Sequence, residues 1–137
     1  MPVNCDGYVI NGGGDGWRRR GGGVAALGAA AMVHAERGAF GQLPASACYL
    51  LVQNAFPCAT CHAYFMGQSL AGHSVIIKVT ANEGAYSADH GFGLRGGVPC
   101  VIYYHAGTAR YDSITHAMAG TGGAHAAFPA HPSIDAV

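Results

Sequence analysis

Charge is scarce in this chain of 137 residues: only 10% of the residues are charged, and seven of them are lysine or arginine. The formal net charge is zero. Proteins contact phosphates mainly through lysine and arginine, so this balance argues against a strongly basic nucleic-acid-binding surface, while leaving room for a local basic patch. Half of the residues are apolar, and the length suits one domain with a proper core.

Long hydrophobic runs are also missing. No stretch reaches the roughly 18 apolar residues of a transmembrane helix, so we predict no membrane span. Residues 21–33 are apolar and follow three arginines, which is the outline of a signal peptide. We reject that interpretation because cleavage there would leave the metal-binding residues described below at a new N-terminus, without preceding strands.

The cysteines do not form a disulfide pattern. Their number is odd, and their spacing is not that of a disulfide framework: Cys5, Cys48, Cys58, Cys61 and Cys100. We therefore predict buried or free thiols and a protein that acts in a reducing cytoplasm.

Two short stretches supply metal ligands. His34, Cys58 and Cys61 offer one nitrogen and two sulfurs, a set that suits Zn²⁺ and leaves a fourth tetrahedral position for water. Glu36 follows the histidine by two residues, which we consider too close for comfortable ligation of the same ion. We interpret it as a general acid/base beside the metal. Pro57 fits the first turn of a helix, which would place both cysteines at that helix start.

The pattern H-x-E at 34–36 followed by P-C-x-x-C at 57–61 resembles the signature of the zinc-dependent nucleobase deaminases, the cytidine deaminase superfamily. The resemblance covers roughly residues 33–79. It implies a five-stranded sheet between helices, Zn²⁺ as cofactor and hydrolytic deamination. It also implies that Glu36 carries the protons. Among these enzymes the chain looks most like the bacterial toxin DNA cytosine deaminases, which are small and vary outside the zinc motif.

The residue pattern independently predicts an α/β domain with a mixed sheet of about five strands flanked by helices. The predicted strands are 7–10, 17–20, 48–53, 75–80, 98–105 and 108–113, and the predicted helices are 24–32, 34–42 and 57–70. The order strand, helix, strand over 48–80 predicts a parallel pair. Pro99 suggests that its strand lies at an edge, and Gly21-Gly22-Gly23 suggests a break.

Two segments are expected to lie outside this regular structure. Residues 83–97 are polar and glycine-rich, so we predict a loop. The catalytic domain is expected to span 1–115, and the Ala/Gly/His/Pro-rich residues 116–137 are expected to form a flexible, loosely attached tail.

Substrate contacts are predicted from two groups of residues. Trp17 with Arg18, Arg19 and Arg20 combines an aromatic ring with positive charge, as single-stranded nucleic acid binding requires; the alternative is a solvated strand with a packed tryptophan. The second group is Asn54, Phe56 and Ala35, which lie next to the metal motif. Asn54 could equally cap a helix, and Phe56 could belong to the core.

Three functions compete. The first is a cytosine deaminase of DNA, with single-stranded DNA slightly ahead of double-stranded, because an unpaired base is easier to reach. Such a domain would be delivered from a secreted bacterial toxin and would have an immunity protein as a partner. The second is a deaminase of free cytidine or deoxycytidine, which the neutral charge favours. The third is a non-catalytic, zinc-stabilised domain that binds nucleic acid, against which Glu36 argues.

Overall fold

The computed structural model describes residues 3–25, 34–81, 99–113, 128–134 and 137. Within these residues the chain forms β1 (Val3–Ile10), β2 (Trp17–Ala25), α1 (Ala35–Phe40), β3 (Tyr49–Gln53), α2 (Ala59–Leu70), β4 (Val75–Val79), β5 (Cys100–His105) and β6 (Thr108–Ser113). No helix in this part of the chain is long and apolar enough to cross a membrane.

The strands form one six-stranded mixed sheet in the order β2-β1-β3-β4-β5-β6. The predicted parallel pair is confirmed as β3 and β4, which α2 connects, and the other neighbours are antiparallel. The α/β class is confirmed, with six strands rather than about five. The edge prediction for β5 is wrong, because β5 lies between β4 and β6. Its strand begins after Pro99, whose missing N–H therefore removes no bond from the ladder.

Both helices pack on one face of the sheet. Ala35 and Ala39 of α1 and Cys61 and Phe65 of α2 are buried there, against alternate residues of the central strands. The rings of Phe40 and Phe65 meet edge to face with 5.5 Å between centroids, which ties the two helices together. A helix that starts at His34 and another that starts near Cys58 are thus held side by side.

The glycine run is part of β2 rather than a break. A Cβ on Gly21 would lie 2.7 Å from the carbonyl oxygen of Ala39, and one on Gly23 would collide with the carbonyl oxygen of Ala35. Glycine is required here because α1 lies directly on the strand backbone. Val24 is also in β2, so the predicted helix over 24–32 does not begin there; residues 26–33 lie outside the described part of the chain.

The second face of the sheet is covered by the C-terminal segment. Phe128 and Ile134 are buried against Leu50, Ile76 and Tyr103. The ammonium of Lys78, only 7% exposed, donates hydrogen bonds to the carbonyl oxygens of Ile134 and Val137. The expected loose attachment of 116–137 is therefore wrong for residues 128–134. Apolar contacts and a buried ammonium fix them, and composition alone did not reveal this. The predicted boundary after 115 and the predicted loop over 83–97 lie outside the described residues.

Candidate metal centre

The helix starts bring the three predicted ligands together. His34 is the N-cap of α1 in an extended conformation, with φ −65° and ψ 145°. Cys58 is the N-cap of α2, and Cys61 lies in its first turn. Pro57 therefore precedes the cap instead of occupying the first turn. The ring nitrogen and the two sulfurs all lie within 4.8 Å of one another.

The spacing of these donors fits one small ion. His34 Nδ1 lies 2.9 Å from Cys61 Sγ and 3.3 Å from Cys58 Sγ. Ligands of a tetrahedral zinc lie about 3.5 Å apart, because the bonds to the metal are about 2.0–2.3 Å long. One imidazole and two thiolates are also the chemistry that Zn²⁺ prefers. The cluster is thus compatible with zinc, and it provides three protein ligands.

Glu36 lies beside this cluster as a buried carboxylate. Glu36 lies in the first turn of α1, and the residue is only 4% exposed. Oε1 is 3.4 Å from Cys61 Sγ and 3.9 Å from His34 Nδ1. A carboxylate in such surroundings is costly unless it is hydrogen-bonded or close to a cation. The position fits both a proton carrier next to the metal and a carboxylate that a divalent cation helps to stabilise.

The raised pKa values of three neighbouring acidic groups show that this region disfavours additional negative charge. Burial raises the pKa of the Cys61 thiol well above its ordinary value, and the Glu36 carboxylate raises it further. Burial and then Glu36 raise the pKa values of Tyr104 and Cys5 as well. Metal binding requires Cys61 as a thiolate, so Zn²⁺ would have to displace the thiol proton and offset this charge. The donor set therefore fits a divalent cation, which would relieve an unfavourable concentration of negative groups.

Gln53 is a site residue that the sequence analysis missed. Its Nε2 donates hydrogen bonds to Glu36 Oε2 at 2.9 Å and to the Ala55 carbonyl oxygen at 2.6 Å. The residue ends the central strand β3 and is 1% exposed. A polar residue at the end of an otherwise apolar strand, just before the metal motif, was the signal in the sequence. Tyr104 was missed too; its hydroxyl lies 2.8 Å from Nδ1 of His62.

The second predicted group of substrate-binding residues, Asn54, Phe56 and Ala35, makes contacts within the protein. Phe56 is 2% exposed in the core on the helix side, so it offers no ring surface for stacking on a base. Ala35 is 1% exposed and packs on Gly23. Asn54 does not cap α2, whose cap is Cys58 without a side-chain bond. Instead, the Oδ1 of Asn54 accepts a hydrogen bond from the Asn4 N–H at 2.8 Å.

Trp17, the aromatic residue of the first predicted group, lies away from the donors. Trp17 is at the end of β2 opposite to Gly23, and six residues of strand span about 20 Å. Its indole N–H donates to the carbonyl oxygen of Pro132 at 3.1 Å. Arg19 forms a salt bridge with Asp6 at 2.8 Å. Both side chains are thus engaged within the protein.

Arg18 and Arg20 are the basic residues of this group that remain for a ligand. Both are exposed, and neither takes part in a salt bridge within the described ranges. Arg20 lines an open groove of about 810 Å³ between β1, β2 and the residues after α1. Asn4 and Gly23 also line this groove, and they contact Asn54 and Ala35, which neighbour the metal ligands.

All five cysteines are free, as predicted, and four of them are buried.

Comparisons with family models, with curated proteins and with solved structures found no match. The likeness to the nucleobase deaminases therefore rests on the motif residues, and the geometry of the site has to be judged on its own chemistry.

Proposed function

We propose that this chain is a zinc-dependent hydrolytic deaminase that converts cytosine to uracil in DNA. The observation that carries the proposal is the buried Glu36 carboxylate next to a cluster that has three protein donors among the described residues. A structural zinc site is closed by four protein ligands and has no use for a neighbouring proton carrier. A hydrolytic site needs both an open position and a group that moves protons.

The chemistry assigns one role to each group. His34, Cys58 and Cys61 would hold Zn²⁺, which supplies the Lewis acid that makes water nucleophilic at neutral pH. Glu36 accepts a proton from the attacking water and delivers it to the ring nitrogen of cytosine. It then takes the remaining proton from the hydroxyl group added to the ring carbon and delivers it to the amino group, which leaves as ammonia while the carbonyl of uracil forms. Water and cytosine are consumed, and uracil and ammonia are formed, with one carboxylate handling every proton.

The polymer substrate is supported by the surface near the donors. The groove lined by Arg20 is also lined by Gly23, which contacts Ala35 next to His34, so a phosphate backbone in it would extend toward the start of α1. Exposed Arg18 and Arg20 would pair with phosphates. Single-stranded DNA remains our first choice because its bases need no extraction from a duplex. Free thiols are consistent with action in a reducing cytoplasm, and delivery from a secreted bacterial toxin with an immunity partner remains part of this proposal.

A second candidate is a deaminase of free deoxycytidine or cytidine. The engagement of Trp17 with Pro132 and of Arg19 with Asp6 favours it, because both residues were the main sequence signal for a polymer. The two candidates share the metal site and differ only in the substrate.

The test is to incubate the zinc-loaded protein in parallel with single-stranded DNA, duplex DNA, RNA and deoxycytidine, and to measure uracil by sequencing or chromatography. Glu36→Ala should keep zinc and lose activity by at least 100-fold, since general acid–base catalysis contributes about 10²–10⁴-fold. Asp15→Ala, which removes an exposed carboxylate in the β1–β2 turn, is the matched control and should keep full activity.

Each outcome favours a different function. Activity on deoxycytidine alone would support the second candidate. A Glu36→Ala protein as active as the wild type would remove the proton-carrier role, and a zinc-loaded protein inactive on all four substrates would favour a non-catalytic zinc domain. For a polymer substrate, replacing Arg18 and Arg20 by alanine should lower the slope of activity against salt concentration by about one unit for each phosphate that an arginine no longer binds.

A further inference from the structure

The Glu36 carboxylate lies beside the position that a fourth ligand would take. Its Oε1 is 3.4 Å and 3.9 Å from two of the three donors, Cys61 Sγ and His34 Nδ1. Ligands of one tetrahedral zinc lie about 3.5 Å apart. The separation from Cys61 matches this spacing and the separation from His34 exceeds it, so Oε1 lies within reach of the fourth position without occupying it. The sequence spacing had suggested that His34 and Glu36 are too close to ligate together. The extended N-cap conformation of His34 brings the two side chains to the same point instead.

A carboxylate in this place can close the site. If Oε1 bound the metal, the ion would have four protein ligands, and water or substrate would have no position. Such a site would be a structural one. An open site therefore requires an interaction that keeps the Glu36 carboxylate near the metal and prevents it from binding the metal.

Gln53 provides that restraint. Its Nε2 binds Glu36 Oε2 and the Ala55 carbonyl oxygen, and because both partners are acceptors, the amide nitrogen must face them. The backbone of Gln53 is fixed as well: β3 pairs with β1 on one side and β4 on the other, and the Gln53 carbonyl oxygen accepts hydrogen bonds from the N–H and the hydroxyl of Thr80. The Glu36 carboxylate is thus held through its Oε2 by a donor whose backbone is fixed.

Burying the Gln53 amide costs free energy, so a contribution to stability alone does not explain why an amide is present here. Gln53 Oε1 is buried and has no hydrogen-bond partner among the described residues. A buried acceptor without a partner costs about 1–3 kcal/mol. An apolar side chain of similar size would avoid this cost, so the amide is better explained by what its donor does for Glu36.

We propose that Gln53 is a positioning residue that holds the Glu36 carboxylate back from the metal and so keeps the His34–Cys58–Cys61 site open. The proposal rests on the metal site that the proposed function uses, and it does not depend on which base or polymer is the substrate.

The decisive variant is Gln53→Met, which removes the donor at similar side-chain length. The probe is Co²⁺ in place of zinc, with azide as the added ligand. In the wild-type protein, azide should enter the open position and change the visible Co²⁺ spectrum. In Gln53→Met the freed Glu36 should occupy that position, so the spectrum should no longer respond to azide. Zinc affinity, measured by competition with a chromophoric chelator, should be equal to or higher than that of the wild type.

Two further variants make the result specific. The double variant Glu36→Ala/Gln53→Met should respond to azide again, because the closing ligand is gone. Ser69→Ala is the matched control for loss of a buried polar group: its hydroxyl bonds Met66 and Gly107 near the far end of α2, and it should leave both metal readouts unchanged. If Gln53→Met fails to fold, Gln53→Glu keeps the side-chain shape, and its carboxylate should drive Glu36 toward the metal with the same loss of response.

The contrary results are distinct. An ordinary hydrogen bond that only supports the site would lower metal affinity about 10–100-fold when removed, so weaker zinc binding in Gln53→Met would overturn the proposal. An unchanged response to azide in that variant would overturn it too, as would a wild-type site that azide never enters. A protein that gives the expected spectra but deaminates nothing would refute the proposed function and leave this inference intact.

Discussion

Gly23→Ala should disturb the metal centre without touching any ligand. Gly23 lies in β2 under the first turn of α1, and a Cβ there would collide with the carbonyl oxygen of Ala35 and lie 3.2 Å from its carbonyl carbon and from its Cα. Backbone atoms cannot turn aside as a flexible side chain can. The start of α1, which carries His34 and Glu36, must therefore move away from the strand.

The expected magnitudes follow from that collision. Overpacking of this kind costs typically about 1–3 kcal/mol of the free energy of unfolding. Relieving it requires a movement of about 1 Å, and a misplacement of this size at a reacting group can cost about 100-fold in rate. Cys58 and Cys61 belong to α2 and would stay in place, so the histidine would separate from the sulfurs. Zinc affinity should fall by about 10–100-fold, as for other losses of support around a metal.

The assay compares zinc affinity, urea unfolding and deamination for Gly23→Ala and Gly38→Ala. Gly38 lies on the exposed side of the same helix, and a Cβ there would meet nothing within 4 Å. Gly38→Ala should keep zinc affinity and activity and gain up to about 1 kcal/mol in stability, because alanine favours a helix over glycine. If Gly23→Ala binds zinc as tightly as Gly38→Ala, the contact between β2 and α1 does not set the position of His34.

Two further predictions concern the cysteines. The protein should bind about one zinc per chain, and Cys58→Ala or Cys61→Ala should abolish it as measured by metal analysis; full occupancy in either variant would refute the ligand assignment. Burial raises the pKa values of Cys48 and Cys100 from 9.0 to about 12, so both thiols should resist alkylation at pH 8 in the folded protein. The unfolded chain releases these protons first, so the free energy of unfolding measured in urea should be constant below about pH 9 and fall as the pH rises toward 12. A stability that is flat over that range would contradict the burial of these thiols.

The centre of the fold was predictable because local signals and tertiary structure agree there. A short apolar run bounded by turn residues predicted β3, a run rich in β-branched residues predicted β4, and the order strand, helix, strand predicted α2 and a parallel pair. The strands predicted over 98–105 and 108–113 form the hairpin of β5 and β6, and both residues of its turn, Ala106 and Gly107, adopt positive φ. In each case, the pattern of neighbours along the chain is sufficient to define the element.

The errors occur where one segment depends on another that is distant in sequence. Gly21 and Gly23 look like helix or strand breakers until α1 lies on them, and only then does the lack of a Cβ favour a strand. The segment with Phe128 and Ile134 belongs to the Ala/Gly/His/Pro-rich stretch that was expected to form a flexible tail, although these two side chains pack on the face of the sheet opposite to the helices. Composition averages over such isolated anchors and cannot detect them.

The metal ligands were predictable from spacing, but the state of Glu36 was not. The motif places a carboxylate near the donors in any protein that carries it. Whether this carboxylate carries protons or closes the site depends on a hydrogen bond of 2.9 Å from Gln53, which lies in a different element. The position of Glu36 therefore depends on a contact between β3 and α1, two elements whose pairing the motif does not encode.

The three arginines of β2 show how strand geometry changes the meaning of a basic run. Successive side chains of a strand point to opposite faces. Arg18 pairs with Val9 on the helix side, whereas Arg19 pairs with Tyr8 on the other side and binds Asp6. Three consecutive arginines in β2 therefore do not make one continuous basic patch. Arg20 falls at the register shift between these pairs and lines the groove, so any phosphate contact that continues toward the metal centre has to begin there.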